Sequence, residues 1–247
     1  MNWEDSKPKR VIGTLTPLNM VEFIALEFYR IAPPGAMAFY MNMGVEKFSA
    51  EDVERAFKPV ESMVETMVSR ECDIIVQSGV PLPILIGVAA HDKLMDRIAK
   101  ASGTPVSSSV TAVAKAARHL GIKKIALGNK WSDEMNACLG EFLAREGVGV
   151  AGVCSESMTP DMFLGMDTQK GMDLAYELGK TAITQNPSCD GLYVGGGAWL
   201  ALPVVEFLEK EFDLPCISNQ DSVVWDTLHQ VDFWTPTTVS NRLMAGT

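Results

Sequence analysis

The stretch Asp190-Gly-Leu-Tyr-Val-Gly195-Gly196-Gly197-Ala-Trp-Leu decides how this chain is read. An acidic residue opens it, a short apolar run follows, and a turn of small residues closes it. The apolar run is short and rich in β-formers, which predicts a buried strand. An earlier stretch, Asp73-Ile-Ile-Val-Gln-Ser78-Gly79-Val80-Pro-Leu, repeats the plan. Two strand ends of the same design, one in each half, are what a two-lobed α/β protein needs to frame one cleft.

Working outward, the apolar pattern alternates between strand and helix through both halves. Arg10–Leu15 predicts a first strand, ending at Thr16-Pro17-Leu18-Asn19, and helical spacing follows over 20–31. Met37–Met43 predicts a strand. Ser49, with Glu51 and Asp52 after it, predicts an N-cap opening one helix that runs to about Ser69. A helix over 91–101 and the Pro105–Ser109 strand leading into another helix complete the first half. The second half restarts with Lys123–Leu127. It continues through a helix to about Glu146, a strand over 148–153, an irregular connection over 154–170, and a helix over 171–185. The quoted strand comes next, then a helix over 202–212 and the strand end Pro215–Gln220. This order predicts parallel sheets flanked by helices. The halves also match one another: Pro105-Val-Ser-Ser is answered by Pro215-Cys-Ile-Ser. The fold expected is α/β, with two pseudo-symmetric Rossmann-like lobes. Residues 10–120 form the first, completed by the segment 222–240, and residues 121–221 form the second. Ligands of such sheets bind beyond the carboxyl ends of the strands.

The 247 residues suffice for two real cores. The net charge of −10 without a basic cluster argues against nucleic acid and anionic membranes as partners, and a homo-oligomer is left open. No apolar run reaches the length of a spanning helix, and the first residues lack the order of a signal peptide, so a cytoplasmic location is expected. Five cysteines without CxxC spacing predict reduced, mostly buried thiols rather than a disulfide or zinc framework.

The side chains at the strand ends name no obvious catalyst. Gly195, Gly196 and Gly197 suit a turn whose N–H groups face an anion, and Ala198 continues it. The pattern is not GxGxxG, which argues against a dinucleotide. Ser78 lacks the flanking glycines of a nucleophile elbow, so a hydrogen-bonding role for its hydroxyl is expected. Asn19 and Asn219 offer amide donors, with turn formation and helix capping as the plain alternatives. Trp131 either walls the cleft or packs at the lobe junction. His91, His119 and His229 sit on or beside predicted helices, where each reads as structural. Glu156 and Asp161 lie in the long connection, and either would serve as a base if it reached the cleft.

Several of these segments together resemble a known family. Gly103-Thr-Pro-Val-Ser-Ser-Ser, Leu120-Gly-Ile-Lys-Lys-Ile-Ala-Leu and Trp131-Ser-Asp-Glu-Met-Asn136 are similar to the aspartate/glutamate racemase superfamily. More narrowly they resemble its maleate cis–trans isomerase and arylmalonate decarboxylase branch. Gly13-Thr-Leu-Thr-Pro17-Leu-Asn19 is similar to the opening motif of that branch, with one residue fewer before the Asn. The resemblance implies an active site between the lobes and proton transfer by thiols. The racemases and maleate isomerases use two cysteines, and the decarboxylases keep the second-lobe one. In this chain those positions fall at Gly79 and Gly196. Gly79 agrees with the decarboxylases and Gly196 does not. Val80 and Pro81 stand where the decarboxylases carry hydroxyl residues.

The expectation is therefore a cofactor-independent enzyme acting on a small carboxylic acid or related carbonyl compound. The reaction expected is decarboxylation or another lyase step through an enediolate held by backbone amides, without the cysteine pair. The alternatives are an isomerase or hydrolase with a non-thiol base, and a non-catalytic carboxylate-binding protein. Ser78, Gly79 and Gly196 are the expected catalytic positions. Asn19, Val80, Trp131, Gly195, Gly197 and Ala198 are the expected substrate contacts, with no metal.

Overall fold

The computed structural model describes residues 7–18, 23–196, 199–237 and 241–246. The first half runs β1 (Arg10–Leu18), α1 (Phe23–Ile31), β2 (Ala36–Val45), α2 (Ala50–Phe57), α3 (Val60–Ser69), β3 (Ile74–Gln77), α4 (Pro81–Ile86), α5 (Val88–Ser102), β4 (Val106–Ser108) and α6 (Ser109–His119). The second runs β5 (Lys124–Asn129), α7 (Asp133–Arg145), β6 (Gly149–Ser155), α8 (Pro160–Leu164), α9 (Thr168–Gln185), β7 (Gly191–Val194), α10 (Leu202–Phe212), β8 (Cys216–Ser218), α11 (Asn219–Gln230) and α12 (Arg242–Ala245).

Among the described residues each half builds one four-stranded sheet, ordered β2-β1-β3-β4 and β6-β5-β7-β8, and every pairing is parallel. The two orders are the same when the halves are overlaid in sequence, as the doubled α/β pattern predicts. In each sheet the chain leaves the first strand toward one edge and returns on its other side. The crevice of such a sheet lies where that reversal occurs, at the carboxyl ends of β1 and β3 in one lobe and of β5 and β7 in the other.

The acids that open the two matching stretches have matching roles. The Asp73 carboxylate accepts the Val11 N–H at 2.7 Å. The Asp190 carboxylate accepts the Lys123 and Lys124 N–H groups at 3.0 and 2.7 Å. Each acid fixes the entry of the neighbouring strand and so sets the register that follows.

Several boundaries differ from the sequence expectation. The single helix expected from Ser49 to Ser69 is two, α2 and α3, because Pro59 has no N–H to continue α2 and ends it. Ser49 caps α2 as expected, its hydroxyl accepting from Asp52 N–H. The helix α4 begins with Pro81 in the first turn, where proline is tolerated, and Gly87 at φ +82° separates it from α5. The connection expected to be irregular over 154–170 contains the short helix α8.

Helices α6 and α11 pack on one another, and each also touches the last strand of both sheets. The joint is tied by polar contacts. Asp226 of α11 accepts from the Ser107 hydroxyl at 2.5 Å and pairs with Lys115 at 3.1 Å. Glu27 of α1 accepts the Leu202 N–H at the start of α10, at 2.8 Å. The apolar core is continuous across this joint: Val110, Val113 and Ala117 share one cluster with Val224, Leu228 and Ile217.

Candidate functional site

The carboxyl ends of the strands meet at a cavity between the lobes. Ser78 and Gly79 after β3, Ser109 after β4, Gly196 after β7, and Asn219 and Gln220 after β8 bring polar groups to it. Pro17, Leu18, Ile24, Phe48, Pro81 and Phe163 supply an apolar lining, and Lys130 follows β5. The cavity volume is about 50 Å³, room for on the order of three to five waters. An apolar pocket with a few convergent polar groups is the ordinary form of a small-molecule site.

Three expected positions, Ser78, Gly79 and Gly196, are thus brought to one cavity from both lobes. Gly79 takes φ +89°, and a Cβ built there would lie 2.8 Å from Pro17 Cγ. Its N–H donates to the Ser109 hydroxyl at 3.0 Å, which joins the ends of β3 and β4. Gly196 is small for a different reason, since a Cβ there would meet Ala201 Cβ at 2.6 Å.

Three expected contacts, Asn19, Gly197 and Ala198, lie outside the described residues. Three others are corrected. Gly195 does not offer its amide to a ligand: its N–H donates to Gly128 O at 2.9 Å, extending the β5–β7 ladder. Its lack of a side chain serves packing, because a Cβ would stand 2.7 Å from Asn129 Cβ and 3.2 Å from the Trp131 ring. Trp131 is buried behind that turn, its ring 5.9 Å from that of Tyr193, and does not line the cavity. Val80 is fully buried and turns its side chain into the core.

The amide group of Asn219 is oriented from below. The buried Tyr193 hydroxyl donates to Asn219 Oδ1. With the oxygen engaged, Nδ2 is the part of the side chain left for a ligand, and it is a donor. Burial pushes the Tyr193 phenol far above its ordinary range, so it stays a donor. Beneath Asn219, Asp221 accepts from the Ser218 N–H at 2.8 Å, the Ser218 hydroxyl at 3.0 Å and the Ser222 N–H at 2.7 Å. That capping arrangement fixes the start of α11 under the cavity.

The candidate bases named from sequence do not reach the cavity. Glu156 and Asp161 are exposed, and Asp161 lines a separate groove between α4 and α8. His91 is buried against the Ser108 hydroxyl at 2.9 Å, and burial lowers its pKa. His119 and His229 pack on the Trp225 ring. No cysteine is among the lining residues. Burial raises every one of the five thiols, least favourable for a thiolate.

Sequence reasoning passed over Lys130. It is 2 % exposed, and its Nζ has no hydrogen-bond partner among the described residues. The amine lies 3.8 Å from the centroid of the Trp199 ring and 4.9 Å from that of Phe163. Burial alone drives its pKa well below the usual lysine range. A Gly-Asn-Lys-Trp run after a strand reads as exposed, and the two aromatic rings that lie against the amine are both distant in sequence.

A family model described as arylmalonate decarboxylase matches residues 33–244. Arylmalonate decarboxylase of Bordetella bronchiseptica is 24 % identical over 188 residues, covering 76 % of this chain and 77 % of the relative. Among solved structures, a liganded doubly substituted arylmalonate decarboxylase superposes with a TM-score of 0.84 at 20 % identity, over 97 % of this chain and 100 % of that one. The maleate isomerase of Pseudomonas putida S16 superposes with a TM-score of 0.80 at 15 % identity, over 96 % and 98 %. The fold is that of these enzymes, and by the extent of the family match the chain belongs to the arylmalonate decarboxylase family.

Proposed function

We propose that this protein is a cofactor-independent decarboxylase of small malonate-type acids, working without a catalytic thiol. The observation that carries the reading is the cavity at the strand ends, where the Asn219 amide, the Ser78 hydroxyl and Gly196 converge from two lobes against an apolar wall. Family membership supplies the class of reaction to which that geometry is fitted.

The chemistry follows from the groups present. One carboxylate of the acid is held by the Asn219 amide and the Ser78 hydroxyl. Breaking the C–C bond to the other releases CO₂ and leaves the electron pair in the retained carboxyl group as an enediolate. Donors already in place where negative charge grows lower that barrier by several kcal/mol. The lining from Leu18, Ile24, Phe48 and Phe163 excludes water and receives the substituent of the acid. It also disfavours a second carboxylate lying against it, and so weakens the bond to be broken.

The experiment is CO₂ release from malonate, methylmalonate and phenylmalonate, with maleate as an isomerisation control. Turnover is expected to survive dialysis against a chelator and treatment with iodoacetamide. Loss of turnover on alkylation would place a cysteine in the cleft and sink the thiol-independent reading. Turnover of maleate alone would replace decarboxylation with isomerisation.

A further inference from the structure

Decarboxylation leaves a carbanion equivalent that must take a proton, and the sequence resemblance puts glycines, Gly79 and Gly196, where thiols would be expected. A proton carrier must border the cavity, be shielded from bulk water and lack a partner that would hold its proton elsewhere. Lys130 meets all three conditions. It lines the cavity, it is fully buried, and its Nζ has no hydrogen-bond partner among the described residues. Buried lysines are ordinarily paired, because an isolated buried ammonium is costly. An unpaired one beside a cavity is a group whose partner arrives with the ligand.

We propose that Lys130 carries the proton in this site, delivering it from Nζ to the α-carbon of the enediolate once CO₂ has left. The inference rests on the decarboxylation reading and adds the acid that the reading lacks. The bond account closes. The malonate C–C bond breaks, and its electron pair passes to the enediolate. A new C–H bond forms with that pair and the proton of the Lys130 ammonium. The amine left neutral takes a proton from water when the product leaves. One proton is consumed for each CO₂ released.

The surroundings suit a group that must hold and release a proton. In the closed apolar setting the amine favours its neutral form. A dianionic acid brings the countercharge that the protein omits, so the ammonium is favoured when substrate is bound. The Trp199 face, 3.8 Å away, adds a modest attraction for the cation without accepting its proton. The acidic groups on the neighbouring segments, Asp133 and Glu134 of α7, Glu156, and Asp161 of α8, are exposed, and the buried Glu27 and Asp221 do not perturb it. Among the described residues the proton therefore has no competing resident base at Nζ.

The test uses methylmalonate and phenylmalonate with the wild-type protein and the variants Lys130→Met and Lys130→Ala. Both variants are expected to lose on the order of 10²–10⁴-fold in kcat, with KM moved by less than tenfold. The alkaline limb of the wild-type kcat profile should vanish with them. Methylamine should restore part of the Lys130→Ala rate, and a series of small amines should do so in order of their pKa. A folded Lys130→Met that keeps more than a tenth of wild-type kcat overturns the proposal. So does a Lys130→Ala that melts cooperatively yet ignores amines. Borohydride trapping of substrate carbons on Lys130 also overturns it, in favour of covalent amine chemistry. A wild-type protein inert toward all the malonates overturns the decarboxylation reading and this inference together; an active wild type with an indifferent Lys130 overturns this inference alone.

Discussion

Gly79 has two constraints at once, a φ of +89° and a Pro17 ring 2.8 Å from where a Cβ would stand. Gly79→Ala is expected to cost about 1–3 kcal/mol, measured by urea denaturation, and to lower turnover by shifting Ser78. Gly196 differs, because its obstacle is the Ala201 methyl at 2.6 Å rather than its own backbone. Gly196→Cys alone forces that contact apart. Combined with Ala201→Gly, it puts a thiol where the sequence resemblance expects one, and CO₂ release is expected to rise above that of Ala201→Gly alone. No rise would count against an enediolate forming beside this turn. Lys130→Met carries a stability prediction separate from its kinetics. Removing an unpaired buried amine while keeping the side-chain volume should raise the melting temperature, as expected where function has been kept at a cost in stability.

At the scale of elements, the start of α10 depends on a residue from the other lobe. Glu27 of α1 accepts the Leu202 N–H at 2.8 Å. Glu27→Ala leaves that buried donor without an acceptor and is expected to cost about 1–3 kcal/mol, read from the urea midpoint at pH 6. This cross-lobe cap also shows what sequence could and could not convey. The strands were legible because Ile74–Val76 and Leu192–Val194 are short apolar runs closed by small residues, and the doubled order followed from Pro105-Val-Ser-Ser and Pro215-Cys-Ile-Ser. The place of Ser78, Gly79 and Gly196 at the cavity was legible because they follow such strands. The role of the Gly195 amide was not legible, since whether an N–H belongs to a ladder or a ligand depends on where the neighbouring strand ends. Lys130 was invisible for a related reason. Phe163 and Trp199 lie against its amine, and no local pattern announces that two distant rings will meet it there.

At the scale of the whole molecule, two buried carboxyls make stability depend on pH. Burial is the largest influence on both, pushing Glu27 up to about 8 and Asp221 to about 7, from ordinary values of 4.5 and 3.8. Between the ordinary and the folded values the native state holds protons that the unfolded chain has released. Stability therefore falls as pH rises from about 4 to about 8 and levels off above. The urea midpoint is expected to decline over that window. Glu27→Gln keeps an acceptor for Leu202 but has no charge to bury. Its advantage over wild type should be absent at pH 5 and grow toward pH 8.5, on the order of a few kcal/mol at most. A gap that does not widen with pH would mean that Glu27 is ionised throughout.

The interlocking of α6 and α11 reaches beyond the cleft. Each helix lies against the last strand of both sheets, so neither half can cover its own apolar surface without the other. The halves are then obligate partners joined by a tether at Gly121 rather than separable modules. Cleaving the chain there should yield two fragments that are each aggregation-prone alone. Mixed from denaturant at equal concentrations, they should recover the native circular dichroism spectrum as a heterodimer. The intact chain should melt in one calorimetric transition, and the covalent link would contribute mainly by raising the effective concentration of one half for the other.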